Sequence, residues 1–265
     1  MIGAIFGDIV GSVYEFDNIK TKDFRLFSDK CEFTDDTVMT VAVAEALLRY
    51  DNISDIEKFK GTLIESMHKW GKLYPNAGYG GHFGLWLTLG ETEPYGSYGN
   101  GSAMRVSPVA WYAKSLEECL TLAEATAAVT HNHPEGIKGA VVTAGAAYLA
   151  RTGADMGEIR AFVEKYYDMS FTLDSIRDIY YFNETCQETV PEAMEAFFES
   201  VSFEDAIRNG ISIGGDSDTL CAITGAVAEG YYGLSEDQVN AVKAYLDEQI
   251  SEVVEKFTER YCHRG

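Results

Sequence analysis

An all-α fold is predicted for this chain by three observations. From Asp36 onward, apolar residues recur at helical spacing, as in Val38, Val41, Ala42, Leu47 and Leu48. Helix-start signals punctuate the chain so regularly that few runs of alternating strand pattern remain. Prolines number only five, at 75, 94, 108, 134 and 191, and none needs to lie inside a long helix.

Taken in order, the N-terminal MIGAIFGDIVGS is apolar, lacks a basic flank and is far shorter than a membrane span, so neither a signal peptide nor an anchor is expected. Asp8 lies within it. An ionised carboxylate there is costly unless it is paired or hydrogen-bonded, which predicts a structural or supporting role. After the helix beginning near Asp36, Ser54-x-x-Glu57 reads as a capping box for the next. Residues 71–101 break the regularity, because glycines crowd among tyrosines and a long helix is disfavoured. This segment is expected to be a functional loop, since glycine lets a backbone approach a ligand closely. Ser115-x-x-Glu118 then precedes LTLAEATAAV, Pro134 suits the first turn of EGIKGAVVTAGAAYLAR, and Ser235-x-x-Gln238 precedes VNAVKAYLDEQI. Roughly ten or more helices follow from this punctuation. With 265 residues, 46% hydrophobic and without a fixed-period repeat, a single domain over 1–265 is expected.

Charge narrows the function. There are 42 acidic and 21 basic residues, a net −21, which opposes binding to nucleic acid or an anionic membrane. A pyrophosphate-bearing ligand would also be repelled unless bound cations and aimed N–H groups offset the charge. The five cysteines (Cys31, Cys119, Cys186, Cys221, Cys262) are scattered and never form C-x-x-C. They read as reduced thiols in the cytoplasm, with no zinc knuckle or disulfide framework.

Two motifs carry chemistry. Thr34-Asp35-Asp36-Thr37 sets adjacent carboxylates where a helix begins, and Gly214-Gly215-Asp216-Ser217-Asp218-Thr219 does the same before LCAITGAVAEGYY. Asp and Thr are common N-caps, so either motif alone is as well explained by capping. Capping uses one carboxylate, however, and each cluster has two. Four carboxylates and two threonine hydroxyls would hold two hard cations if the helix starts met.

Together with Gly7-Asp8-x-x-Gly11-Ser12-x-x-Glu15, Gly96-Ser97-Tyr98-Gly99-Asn100-Gly101-Ser102-Ala103-Met104-Arg105 and Thr130-His131, these motifs resemble the ADP-ribosylglycohydrolase family in order and wording. The family includes dinitrogenase reductase-activating glycohydrolases and eukaryotic ADP-ribosylhydrolases. The resemblance runs from the first residues to about residue 233 and implies an orthogonal multi-helix bundle around a cleft with two Mg²⁺ or Mn²⁺ ions. It implies Thr34, Asp35, Asp36, Asp216, Asp218 and Thr219 as metal ligands, and Glu15 as a glutamate on a flap that closes the metal site. It also implies Gly78, Tyr79 and Gly80, then Gly96, Ser97, Tyr98, Gly99 and Asn100, as the ADP-ribose cradle, with His131 at the substrate pocket. His133, beside Pro134, is expected at a helix N-terminus.

The implied reaction is hydrolysis of an N- or O-glycosidic bond to the distal ribose of ADP-ribose. Asp35, Asp36 or Glu15 would take the proton of the attacking water. The expected partner is an ADP-ribosylated protein or small molecule, met by a monomer, and the sequence does not specify the acceptor. A Mg²⁺-dependent isoprenoid or terpene synthase is disfavoured, since Asp35-Asp36-Thr37-Val38-Met39 lacks that motif's final acid. A catalytically inactive, crystallin-like relative is opposed by the intact donor set.

Overall fold

The computed structural model describes residues 1–262, and among these the regular elements are helical. The first half contributes α1 (Ile2–Gly11), α2 (Asp35–Leu48), α3 (Ile56–Leu73), α4 (Gly81–Leu89), the short α5 (Gly101–Met104), α6 (Ser107–Tyr112) and α7 (Leu116–Ala128). The second half contributes α8 (Pro134–Arg151), α9 (Met156–Val163), the short α10 (Leu173–Ile176), α11 (Val190–Phe198), α12 (Phe203–Ser212), α13 (Ser217–Tyr232), α14 (Glu236–Lys243) and α15 (Glu248–Tyr261). A 3₁₀ turn at Cys186–Glu188 precedes α11.

At the centre, α1 packs antiparallel against α13, and every residue of α1 is buried. Gly3, Gly7 and Gly11 recur every four residues and so share one helix face. A Cβ at these positions would run into the Gly225 carbonyl, the Cys221 carbonyl and the Asp218 backbone, respectively. Without side chains on that face the two backbones touch. The C-terminal end of α1 is thereby set beside the N-terminal end of α13. Around this pair, α8 covers α13 and α2 stands against α3, where Ser66 Oγ donates to the Ala42 carbonyl at 2.8 Å and Trp70 Nε1 donates to Glu45 at 3.1 Å. Phe6, Phe59, Trp70, Phe197 and Phe257 are among the large side chains in the core.

Most helix starts fall where sequence places them. Ser115 and Ser235 cap α7 and α14, accepting from Glu118 N and Gln238 N. His133 caps α8 through Nδ1, with Pro134 in the first turn. The start of α3 is shifted by one residue: Asp55, not Ser54, is the cap and accepts from Lys58 N at 3.0 Å. The 71–101 segment also departs from expectation, because α3 extends to Leu73 and α4 forms within it. Phe83 and Trp86, one turn apart, supply α4 with a buried face, and Gly90 ends it in the left-handed region at φ +68°. The irregular stretch that remains is shorter than the sequence suggests.

All five cysteines are free thiols. No described helix is long and apolar enough to cross a membrane.

Candidate active site

The starts of α2 and α13 meet, although the residues in contact are 183 and 184 positions apart in sequence. Thr219 Oγ1 donates to Asp36 Oδ2 at 3.1 Å, and Thr34 Oγ1 lies 3.5 Å from Asp218 Oδ2. Glu15, on the loop leaving α1, brings a carboxylate oxygen within 4.8 Å of those of Asp216 and Asp218. The expected donor set and the expected flap glutamate therefore share one location.

Capping does not consume the carboxylates. Thr34 is the N-cap of α2, its hydroxyl accepting from Asp36 N at 3.3 Å, which leaves the side chains of Asp35 and Asp36 unused by the helix. Asp216 occupies the N-cap position of α13 but makes no side-chain cap bond. Its Oδ2 accepts instead from Asn100 Nδ2 at 2.7 Å. Asp36 Oδ1 and Asp218 Oδ1 are buried without a hydrogen-bond partner, a costly state that a cation would relieve.

Asp8 is the buried anchor of the first cluster. Its carboxylate accepts from Thr34 N at 3.0 Å, Thr34 Oγ1 at 2.7 Å, Thr37 N at 3.0 Å and the Thr37 hydroxyl. These four bonds hold the turn that aims Asp35 and Asp36. The second cluster is shaped differently. Gly214 and Gly215 both have positive φ, +67° and +84°, a conformation that disfavours a side chain. A Cβ on Gly215 would also collide with the ring of Tyr180.

Crowding of acids sets the electrostatics. Burial, followed by the charges of Asp218, Asp8 and Glu184, pushes Glu15 up to about 8. Asp216 is pushed up to about 6, mainly by burial. Burial likewise raises Asp35, Asp36 and Asp218 well above the ordinary carboxylate range, reinforced by their mutual repulsion. A cation among these carboxylates would favour their ionised forms and offset the repulsion between them.

The model of the ADP-ribosylglycohydrolase family matches residues 1–265. The chain belongs to that family. ADP-ribosylhydrolase ARH3 of Mus musculus is 24% identical over 318 residues, covering 89% of this chain and 83% of its own. ADP-ribosylarginine hydrolase Tri1 of Pseudomonas putida (strain GB-1) is 26% identical, covering 89% and 70%. A solved structure titled ADP-ribosylglycohydrolase-related protein complex superposes with a TM-score of 0.70 at 21% identity, over 97% of this chain and 96% of that one, and shows the same fold. Membership makes the chain a glycosyl hydrolase.

In this glycohydrolase the glycine-rich segments flank the acidic cluster. A Cβ on Gly78 would stand 3.4 Å from Asp35 Oδ1, and Tyr79 feels the same carboxylate, which together with burial raises its hydroxyl. Gly78, Tyr79, Gly80 and Gly81 lead into the N-terminus of α4, and their N–H groups have no protein acceptor among the described residues. The second segment is different. Gly96 N donates to Asn132 Oδ1, Ser97 N to the Thr130 carbonyl, Gly99 N to Ser97 Oγ and Asn100 N to the Glu184 carbonyl. Four N–H groups expected to face a diphosphate thus stabilise the loop itself. Tyr98 remains 48% exposed, its ring centroid 5.2 Å from that of His133. His131 is buried behind this segment, its Nε2 beside Gly99 and Gly101.

Sequence reasoning passed over Asn18. Its Oδ1 accepts from Gly215 N at 2.7 Å, and its Nδ2 donates to the carbonyls of Gly215 and Glu15. This one side chain staples the Glu15 loop to the turn that aims Asp216. No local motif marks it, because the partner that gives it this role, Gly215, lies 197 residues away. A cavity of about 640 Å³ between Val201, Phe203, Tyr232 and Gln238 includes none of these acidic residues in its lining.

Proposed function

We propose that this glycohydrolase cleaves, in a divalent-cation-dependent reaction, the glycosidic bond between ADP-ribose and an acceptor: an arginine or serine side chain, or another ADP-ribosylated molecule. The observation that carries this is the convergence of two helix starts whose carboxylates are released from capping, with Asp36 Oδ1 and Asp218 Oδ1 buried and unpartnered. A purely structural pair of caps would not leave such atoms. All-oxygen donors suit Mg²⁺ or Mn²⁺ over softer metals.

Thr34, Asp35, Asp36, Asp216, Asp218 and Thr219 would hold two such ions. When bound, the ions supply Lewis-acid stabilisation of developing charge and hold the ribose hydroxyls. The chain supplies the rest. Glu15, Asp35 or Asp36 takes the proton of the attacking water; Glu15 is the one of the three on a loop, while the other two are rooted in α2. Backbone N–H groups of Gly78–Gly81, at the N-terminus of α4, would receive the diphosphate, with Tyr79 in the same segment and the exposed Tyr98 in the second glycine-rich segment as ring faces for the ligand. His131 supplies a polar contact from the opposite loop. The chain works as a single domain and as a monomer, in the cytoplasm, where its free cysteines stay reduced.

The test is release of free ADP-ribose from arginine-linked, serine-linked and polymeric substrates with Mg²⁺, Mn²⁺ or EDTA. Release from one linkage, abolished by EDTA, is expected and names the acceptor. Tight ADP-ribose binding with no release from any of the three would instead favour a protein that has kept the site without the reaction. Release undiminished by EDTA would remove the cations from the proposal.

A further inference from the structure

Arg105 is the largest buried cationic side chain among the described residues, 1% exposed, and no carboxylate among them hydrogen-bonds to it. Its guanidinium lies 5.5 Å from the Phe83 ring centroid. One nitrogen, Nη2, donates to Thr130 Oγ1 at 2.7 Å and to the Thr126 carbonyl at 3.3 Å. Thr130 is fully buried, and its hydroxyl oxygen lies 2.8 Å from His131 Nδ1. Arg105, Thr130 and His131 therefore form a chain of contacts ending at the glycine-rich segment.

Counting protons along that chain decides the imidazole's state. A guanidinium only donates, and a threonine hydroxyl has a single hydrogen. With one lone pair engaged by Arg105, the Thr130 hydrogen goes to an acceptor, and among the described residues Nδ1 is the acceptor within reach. The reverse assignment, Nδ1–H donating to Thr130, would leave the hydroxyl hydrogen buried between two donors. Nδ1 is thus unprotonated, and Nε2 carries the hydrogen. Protonation of both nitrogens is opposed by burial and by the Arg105 charge, which hold His131 well below its ordinary range.

Nε2 points at the Gly99-Asn100-Gly101 turn. A Cβ on Gly101 would come within 3.1 Å of it, and one on Gly99 within 3.6 Å. No protein acceptor for Nε2 is present among the described residues. Thr130 fixes the same turn through its backbone, its carbonyl accepting from Tyr95 N and Ser97 N. The turn leads through Asn100 directly to Asp216.

We propose that Arg105 and Thr130 are positioning residues that lock His131 in the Nε2-protonated tautomer, so that Nε2–H is a permanent donor to a ligand oxygen at this turn. The identity of that oxygen, a phosphate or ribose oxygen of ADP-ribose, rests on the function proposed above; the tautomer does not. A histidine free to adopt either tautomer would present an acceptor part of the time. The relay removes that option before ligand arrives.

Long-range ¹H–¹⁵N correlation spectra of the ¹⁵N-labelled, ligand-free protein test this, with the His131 signals assigned by their loss in His131→Gln. The wild-type protein is expected to show an unprotonated Nδ1 and a protonated Nε2. Thr130→Ser keeps the relay and the pattern. Thr130→Val, with helical content checked by circular dichroism, is expected to mix the tautomers and raise KM about tenfold, with kcat less affected, the scale of one lost hydrogen bond. A protonated Nδ1 in the wild type, or an unchanged tautomer in Thr130→Val, would overturn the proposal. If the spectra behave as expected but no ADP-ribosyl bond is cleaved, the relay stands and the proposed reaction falls.

Discussion

The starts of α2 and α13 present similar side chains but are held by unlike means. At α2 the turn is held by hydrogen bonds: Asp8 collects four of them from Thr34 and Thr37, and Thr34 does the capping. At α13 the turn is held by backbone conformation, through two consecutive glycines in the left-handed region and the Tyr180 ring packed on Gly215. Both arrangements free two aspartates from helix duty. They differ in what would undo them, a lost acceptor in one case and an added Cβ in the other.

The largest expected effect treats the two starts as equal. Asp36→Asn and Asp216→Asn should each lower ADP-ribose release on the order of a thousandfold, about 4 kcal/mol of transition-state stabilisation. Helical content should persist, and stability in EDTA should hold or rise, because each change removes a charge from a repelling cluster. Near-normal turnover by either variant at low Mg²⁺ would take that residue out of the donor set.

Smaller changes separate the two. Asp8→Asn leaves an amide where four donors converge; it should cost about 1–3 kcal/mol of stability and weaken cation affinity about 10- to 100-fold, as loss of an orienting partner does. Titration with Mn²⁺ followed by calorimetry reads both. Gly215→Ala should cost about 1–3 kcal/mol through backbone strain, with further loss from the Tyr180 clash. Gly61→Ala, in the middle of α3 with open space at the Cβ, serves as a control and should be neutral or slightly stabilising. If Gly215→Ala melts like Gly61→Ala, backbone conformation is not what shapes the second start.

How much of this was readable in advance follows from range. Caps at Ser115, Ser235 and His133 depend on bonds spanning two or three residues, so the sequence carries them. The same reasoning misplaced one start by a residue, since Ser54 and Asp55 are adjacent and equally good cap residues, and it is Asp55 that accepts from Lys58 N. It missed α4, whose helicity comes from burying Phe83 and Trp86 and not from the propensity of a Gly-rich run. The donor set was visible as two acidic helix starts, and its meeting was implied by family resemblance. What brings the starts together, the contact of Gly3, Gly7 and Gly11 with α13, shows in sequence only as a four-residue glycine period. Its partner face at Gly225 and Cys221 is more than 200 residues away. Asn18 and the Arg105–Thr130 contact were unreadable for the same reason: each is defined by its partners.

The smallest expected effect compares the acidic cluster with His131, because the two bend stability in opposite directions with pH. Glu15 and Asp216 are raised to about 8 and about 6, above unfolded values of about 4. Over that interval the folded protein binds more protons than the unfolded chain, so without cations stability falls as pH climbs. The penalty is absent at pH values below the unfolded range and complete above about 8. His131 is lowered, so the folded protein binds fewer protons than the unfolded chain below about 6.5, and stability falls as pH drops through that range. Calorimetry in EDTA should therefore show a melting temperature with a maximum, its alkaline limb set by the acids and its acid limb partly by His131. Saturating Mg²⁺ should flatten the alkaline limb alone, and His131→Gln should lift only the acid limb. An alkaline limb unmoved by Mg²⁺ would mean that the raised acids and the cation site are not the same groups.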